Sequence, residues 1–412
     1  MRIFSDLHIH SRFSRATSKE LNLTNLVRYA RMKGINLLGT GDFTHPLWLK
    51  ELKSELKEDG TGILKTEDGF CFILSTEISN IYVQDNKQRR IHNIILAKDF
   101  ETVDQINEWL SKSGRLDYDG RPTFGFTCPE LVENLISISR DCMVIPAHIW
   151  TPWFSLFGSK SGFDSVEECF QDQTKNIFAL ETGLSSDPAM NWRLSSLDRF
   201  RLVSFSDLHS FWPWRIGREA TLFDLDELTY ENIAKAIKTG EGLAGTIEVD
   251  PSYGKYHYDG HRECGISLTP EEARKLNNIC PICKRPLTIG VLHRVEELAD
   301  REEGFIPKNS KPFKSLIPLS EIISIVIGSP LNSKKVWKEY TKLVNAFGSE
   351  FRVLLEADEE RMRNVADGKI VDLILKVRRG EVKIKPGYDG VYGKLVLDEE
   401  VLKKPQRTLK DF

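Results

Sequence analysis

At 412 residues the chain is longer than one hydrophobic core usually supports, which implies two or three domains. Hydrophobic residues make up 40% and charged residues 28%, the mean hydropathy is -0.32, and no apolar run approaches the roughly 18 residues of a spanning helix, which excludes a membrane span. A formal net charge of -3 gives no global sign of nucleic-acid binding, yet it leaves a local basic footprint open.

The N-terminus, MRIFSDLHIH, enters a strand-like run without a basic region, a long apolar stretch or a small-residue cleavage site, so a cytoplasmic location is expected. From residue 1 to about 245, short apolar runs alternate with amphipathic stretches. RIFSDLHIH, the helical LNLTNLVRYARMKG and INLLGTGDF come first, followed by CFILSTEIS, RRIHNIILA, CMVIPAHIW, NIFALETGL and RLVSFSDLHS. This rhythm predicts an α/β fold with parallel strands joined by crossovers. Each run carries His, Asp or Glu near its end, where a closed β/α barrel assembles its active site.

Residues 246–304 turn rich in Gly, Pro, Cys, His and Tyr, as in a small inserted module. Residues 305–405 become mainly helical, with EIISIVI, SKKVWKEYTKLVNAF and SEFRVLLEADEERMRNV separated by breakers. A basic stretch at 376–386 (KVRRGEVKIKP) and a short polar tail at 406–412 end the chain. Seven cysteines, only Cys280 and Cys283 closely spaced, argue for metal rather than a disulfide framework.

His8 and His10 stand two apart on a strand, so both side chains leave the same face and can grip one ion. Alone, the pair fits a solvated edge strand equally well. The motif recurs, however: His8, His10, His45, His92, His148 and His209 all end apolar runs, accompanied by Asp42, Glu77, Glu181 and Asp207. Such an imidazole-rich set suits zinc, manganese or iron better than magnesium. A carboxylate such as Glu77 can bridge two ions about 3.5 to 4 Å apart, and water between them is a nucleophile at neutral pH. That chemistry is phosphoester hydrolysis.

His261-x2-Cys264 and Cys280-x2-Cys283, with fifteen residues between the pairs, have the spacing of a structural zinc ribbon in which one Cys is replaced by His. His257 and His293 are alternative fourth ligands. Such a module stabilises a small domain without a core of its own.

The ordered set SDLHIH, GDFTH, TEIS, RIHN, PAHIW and SFSDLHS resembles the PHP superfamily of metal-dependent phosphoesterases over about the first 210 residues. With YHYDGHREC, NNICPICKRPLTIGVLHRVEELADR and KIKPGYDGVYGK added, nearly the whole chain resembles the endonuclease Q family. The resemblance implies a distorted β/α barrel over residues 1–245, a zinc module and a mainly helical DNA-contacting domain. Carried onto matching positions, His8, His10, Glu77 and Asp207 hold a first metal, and Glu77 bridges to a second held by His92 and His148. His45 and His209 serve a third metal, with Asp42 as a further candidate, because SRFSRATS replaces the usual third-site residue after the first motif. Two or three catalytic divalent ions (zinc, manganese or magnesium) and one structural zinc are implied, with Glu77, His148 and Asp207 as catalytic residues. Glu181 and Asp6 are candidates for orienting the ligands.

The implied activity is DNA cleavage on the 5′ side of deaminated bases (hypoxanthine, uracil or xanthine) and abasic sites. Consistent with extrusion of a damaged base, Trp150, Trp153 and Phe154 lie in a loop just after His148, while Trp212, Trp214, Arg215 and Arg218 follow Asp207. Packing over the barrel mouth is the competing reading of both loops. Gln406, Leu409 and Phe412 resemble a peptide that binds the sliding clamp PCNA, although the usual second aromatic is missing. Two other activities remain open: a small-molecule phosphatase of the histidinol-phosphate type, and a non-catalytic DNA- or clamp-binding subunit.

Overall fold

The computed structural model describes residues 1–396. The expected clamp-binding residues Gln406, Leu409 and Phe412 lie outside the described residues. No helix among those described is long and apolar enough to cross a membrane.

A ring of strands forms the N-terminal part: β1 (Arg2–Asp6), β2 (Leu37–Gly39), β3 (Cys71–Gln84), β4 (Lys87–Ala97), β5 (Met143–Pro146), β6 (Ala179–Glu181) and β7 (Arg201–Val203). β1 pairs in parallel with β2 and β2 with β3. The ring continues through β4 and β5, and Ile149 N–H donates to Glu181 O where it passes to β6. β6 and β7 are parallel, and the chain after β7 returns to the chain after β1 through a parallel Ile9–Leu208 bridge. The expected α/β barrel is therefore present, and it is distorted. Where the apolar rhythm predicts parallel crossovers throughout, β3 and β4 are an antiparallel hairpin in register from Leu74–Ala97 to Gln84–Lys87. The reason is local: Asp85 and Asn86 take φ of 53° and 59°, the left-handed pair that a two-residue hairpin turn requires.

Helix Leu23–Lys33 shows how a connecting element is specified. Asn22 caps it by accepting from Asn25 N–H, and Gly34 ends it at φ 102°. Its buried face, with Leu23, Leu26, Val27 and Ala30, follows the 3.6-residue period and lies in the large core.

Strand Ala220–Asp224 adds antiparallel to β1, and strand Leu243–Glu248 adds beyond it. Phe313–Ser315 then joins Leu243–Glu248 in parallel. The boundary expected between residues 245 and 246 thus falls inside a continuous strand. Composition changes there because the strand leads into the inserted module, while the sheet itself carries on.

The module contains the hairpin Asp259–His261/Ile266–Leu268 and the helix Pro270–Lys275. Its separate buried core is only Ala273, Cys280 and Leu287, too small to hold a fold without further support. Five helices follow, Leu319–Ile327, Lys334–Phe347, Glu350–Leu355, Glu359–Val365 and Gly368–Arg379, and then the hairpin Lys383–Lys385/Lys394–Val396. The run SEFRVLLEADEERMRNV makes two helices because Asp358 caps the second by accepting from Arg361 N–H.

Candidate metal centre and nucleic-acid interface

Past the end of β1, Leu7 and Ile9 point into the core while His8 and His10 leave the opposite face, as alternation requires. Side chains from four other parts of the ring meet them. His8, His10, Glu77 and Asp207 offer ligand atoms within 4.8 Å of one another, and so do Glu77, His92 and His148. Glu77 belongs to both groups. Its Oε2 faces His8 Nε2 at 3.5 Å and His10 Nε2 at 3.3 Å, and its Oε1 lies 2.7 Å from His92 Nδ1 and 3.2 Å from His148 Nε2.

The outer nitrogens of the two N-terminal histidines are already engaged. His8 Nδ1 is 2.9 Å from Glu181 Oε1, and His10 Nδ1 is 3.0 Å from Asp42 Oδ1. These contacts turn both Nε2 atoms inward, where His8 Nε2, His10 Nε2 and Asp207 Oδ1 are buried and, among the described residues, make no well-aligned hydrogen bond, although His10 Nε2 and Asp207 Oδ1 lie 3.0 Å apart. Three lone-pair donors converging beside a carboxylate fit a divalent cation, and the carboxylate behind each histidine fixes the ring that such an ion requires.

The charges are strongly coupled. Burial opposes ionisation of Glu77, but His92, Arg121 and His8 hold its carboxyl well below the usual range. Burial also disfavours charging of His8, yet Glu181, Glu77 and Asp207 outweigh it and raise its pKa. At His92 burial wins and lowers the pKa to about 4, so that imidazole is neutral at physiological pH, the form that binds metal.

Backbone strain concentrates here. Asp42, His148 and Asp207 take φ of 46°, 31° and 46°, a region that costs a non-glycine residue about 1–3 kcal/mol and persists where surrounding structure enforces it. The neighbouring chain makes room: a Cβ on Gly183 would lie 2.5 Å from His148 Cβ, and one on Gly120 would lie 2.3 Å from Asp42 Oδ2.

Several expected ligands take other places. Asp42 does not face the centre. Its Oδ2 accepts from Ser11 N–H and Ser11 Oγ, both at 2.6 Å, and from Ser14 Oγ at 2.9 Å, so it orients His10 from behind rather than ligating. His45 stacks on Phe13 with ring centroids 4.4 Å apart. The His209 ring is 4.9 Å from that of His10, with its Nδ1 2.9 Å from Asp207 O. Among the described residues neither His45 nor His209 joins a group of three or more ligand-type side chains. Asp6 accepts from Ser206 and from Gly217 N–H, so it braces the β7 end rather than a ligand. Sequence reasoning missed Arg121, whose Nη1 lies 3.0 Å from Glu77 Oε2. Within YDGRPTF it looks like one more surface arginine, because no local pattern marks a residue that works through long-range contact.

In the module, His261, Cys264, Cys280 and Cys283 converge within 4.8 Å, the donor set of a tetrahedral zinc site. His293 is turned away by Asp259, with Nδ1 and Oδ2 2.6 Å apart, and His257 lies outside the group as well.

The aromatic residues divide. Trp150 is 1% exposed, donates its indole N–H to Asn191 Oδ1 at 2.8 Å and packs on Phe157, so it is a core residue rather than a DNA contact. Trp153 is 37% exposed beside Tyr256. Phe154 takes φ 59° and lays its ring 4.8 Å from that of His92, which makes it a wall of the metal centre. Trp212 and Trp214 stack 5.2 Å apart and both meet Trp337 of helix Lys334–Phe347. Their rings join the barrel to the helical part, and both remain partly exposed. Arg215 and Arg218 line a cleft beside them.

Comparison with known proteins agrees with this architecture. The chain is 33% identical to the lesion-specific endonuclease PfuEndoQ from Pyrococcus furiosus, with a TM-score of 0.87 over 100% of this chain and 98% of that one. It is 34% identical to an endonuclease Q solved in complex with a 27-mer duplex carrying an abasic lesion at the active site, with a TM-score of 0.88 and 98% of both chains covered. The uncharacterized protein MJ0043 of Methanocaldococcus jannaschii is 36% identical over 264 residues, and this match spans 63% of the present chain and 32% of that longer relative. A family model described as the MJ0043 C-terminal domain matches residues 318–381, the helical part. With its mixed α/β barrel, its histidine–carboxylate centre and similarity over 98% or more of its length, the chain belongs to the endonuclease Q family.

Proposed function

We propose that this protein is a DNA repair endonuclease that hydrolyses the phosphodiester on the 5′ side of a deaminated base (hypoxanthine, uracil or xanthine) or an abasic site. The products are a 3′-hydroxyl and a 5′-phosphate on the lesion nucleotide. The observation that carries this reading is the division of the Glu77 carboxylate between two ligand groups, one with His8, His10 and Asp207 and the other with His92 and His148. Divalent ions, if held in such a pair of sites, would supply a nucleophilic oxygen at neutral pH and offset the negative charge that develops on the phosphoryl and leaving oxygens.

The residues of this chain do the rest. Glu77, His148 and Asp207 fix the positions at which those charges act. Glu181 and Asp42 hold His8 and His10 in the orientation that presents Nε2. Arg121, ion-paired to Glu77 and one-quarter exposed, presents a permanent cation at the rim, suited to a non-bridging phosphate oxygen. Phe154 and Trp153 offer apolar faces to a nucleotide drawn out of the stack. His261, Cys264, Cys280 and Cys283 would hold one zinc whose role is to fold the module.

The test is cleavage of end-labelled duplexes, each with a single hypoxanthine, uracil, xanthine or abasic site beside an undamaged control, in Mg²⁺, Mn²⁺ or Zn²⁺. A product ending at the phosphate immediately 5′ of the lesion supports the reading. Hydrolysis of a small phosphomonoester with every duplex left intact overturns it in favour of a phosphatase.

A further inference from the structure

Arg121 reaches Glu77 from an irregular loop between helix Phe100–Ser111 and strand Thr123–Phe124. A long arginine side chain on such a loop has many rotamers open to it, so its aim depends on what holds the backbone beneath it. Three straps do so, and each comes from a segment that also carries a residue of the metal centre or its rim. Gly120 donates its N–H to Phe13 O at 3.0 Å, just after His10, and accepts from Thr44 Oγ1 at 3.2 Å, just before His45. Pro122 O accepts the Ser79 N–H at 3.0 Å, two residues past Glu77.

The third strap is a buried carboxylate. Asp119 Oδ1 accepts the backbone N–H of Arg121 at 3.1 Å and that of Arg15 at 3.2 Å, and Oδ2 lies 3.4 Å from Arg15 Nε. One side chain thus ties the loop to the segment after His10. It also settles which arginine pairs with which acid. Asp119 stands two residues before Arg121, but its oxygens are taken by two backbone donors and by Arg15, which leaves the Arg121 guanidinium to Glu77. Among the described residues Glu77 is the acceptor that this guanidinium meets, so its other N–H groups are left for an oxygen of a ligand.

We propose that Asp119 is a positioning residue for hydrolysis: by gripping the backbone N–H groups of Arg121 and Arg15, it fixes the Arg121 guanidinium against Glu77 and toward the phosphate that is cleaved. The assignment rests on the endonuclease reading in taking that phosphate from a DNA strand. Asp119 itself touches neither the strand nor a ligand atom of the metal centre, and it acts through Arg121.

The experiment is a double-mutant cycle on the full-length protein, with kcat and KM for a duplex carrying an abasic site. Asp119→Ala is expected to lower kcat about 10- to 100-fold, as misplacement of a charge-stabilising group does, with KM unchanged because the charge acts in the transition state. Asp119→Asn should keep most of kcat, since its amide oxygen still accepts both N–H groups. Asp119→Ala combined with Arg121→Gln should be no slower than Arg121→Gln alone. Metal affinity from chelator competition is expected to match wild type in Asp119→Ala. Losses that multiply in the double variant, a wild-type kcat in Asp119→Ala, or loss of metal from it each overturn the proposal. Thermal melting identifies a variant that fails to fold, and Asp119→Ser then takes its place in the cycle; if that also fails, Asp119 is a residue of the fold alone and the proposal falls. Wild type that leaves every duplex intact but hydrolyses 4-nitrophenyl phosphate sinks the endonuclease reading, and the same cycle on that ester then decides the role of Asp119 separately.

Discussion

Glu181 holds His8 from behind: its Oε1 lies 2.9 Å from His8 Nδ1, while its Oε2 accepts the His148 backbone N–H at 2.7 Å. One buried carboxylate thus sets a ligand in each of the two groups that share Glu77. Glu181→Gln keeps the shape and removes the charge that favours this orientation. Metal affinity is expected to fall about 10–100-fold, as for other carboxylates behind metal-bound histidines. Chelator competition with elemental analysis measures it, and undiminished affinity would remove Glu181 from this role.

Asp207 offers Oδ1 to the centre at 3.0 Å from His10 Nε2, on a residue strained to φ 46°. Asp207→Asn is expected to abolish cleavage of a lesion duplex while leaving its binding measurable. Turnover equal to wild type would contradict a ligand role.

The inserted module has three residues in its own buried core, Ala273, Cys280 and Leu287. Its stability therefore depends on what the His261, Cys264, Cys280 and Cys283 cluster holds. Cys280→Ser is expected to lower both the zinc content, by one equivalent, and the melting temperature. An unchanged melting curve together with unchanged zinc would remove the ribbon.

Lys33 Nζ and Glu350 Oε1 form a 2.7 Å ion pair with side chains 2% and 0% exposed, joining the helix after β1 to the helical part. Glu350 also accepts from the Tyr340 hydroxyl and from Leu319 N–H. Lys33→Met leaves that charge buried without its cation, and a loss of about 3–5 kcal/mol is expected in urea unfolding. A loss below about 1 kcal/mol would mean that water or another cation takes over.

Glu248 is fully buried, and its carboxyl is pushed from 4.5 up to about 8, by burial first, against hydrogen bonds from Thr246, Ser204 and Thr182. The folded state therefore holds a proton that the unfolded chain releases near 4.5. The resulting stability is fully present below that pH and is lost as pH rises through about 8. Denaturant midpoints measured from pH 5 to pH 9 should fall more steeply for the wild type than for Glu248→Gln, which carries no such proton. Identical slopes would assign the pH dependence elsewhere.

The two ligand groups were legible because each depends on a local rule. Alternation places His8 and His10 on one face, and a barrel brings strand ends together, so histidines and acids that end apolar runs converge. The Cys/His spacing of the module is likewise a short-range constraint. Asp42 and Trp150 were misassigned for one shared reason. Residue type and position next to a ligand say what a side chain can do, but the partner it finds comes from distant chain: Asp42 finds His10 and Ser14, and Trp150 finds Asn191.

By itself the sequence determined the strand rhythm, the histidine–carboxylate set, the zinc-type spacing and the family resemblance, because these follow from local periodicity and motif order. Only the tertiary structure decided that β3 and β4 run antiparallel and that Arg121 reaches Glu77. It also decided that Trp212 and Trp214 pack on Trp337 and that Arg215 and Arg218 line a cleft with residues of helix Leu319–Ile327. Each of these depends on which surfaces are buried against one another, and burial between segments hundreds of residues apart leaves no periodic trace in the chain.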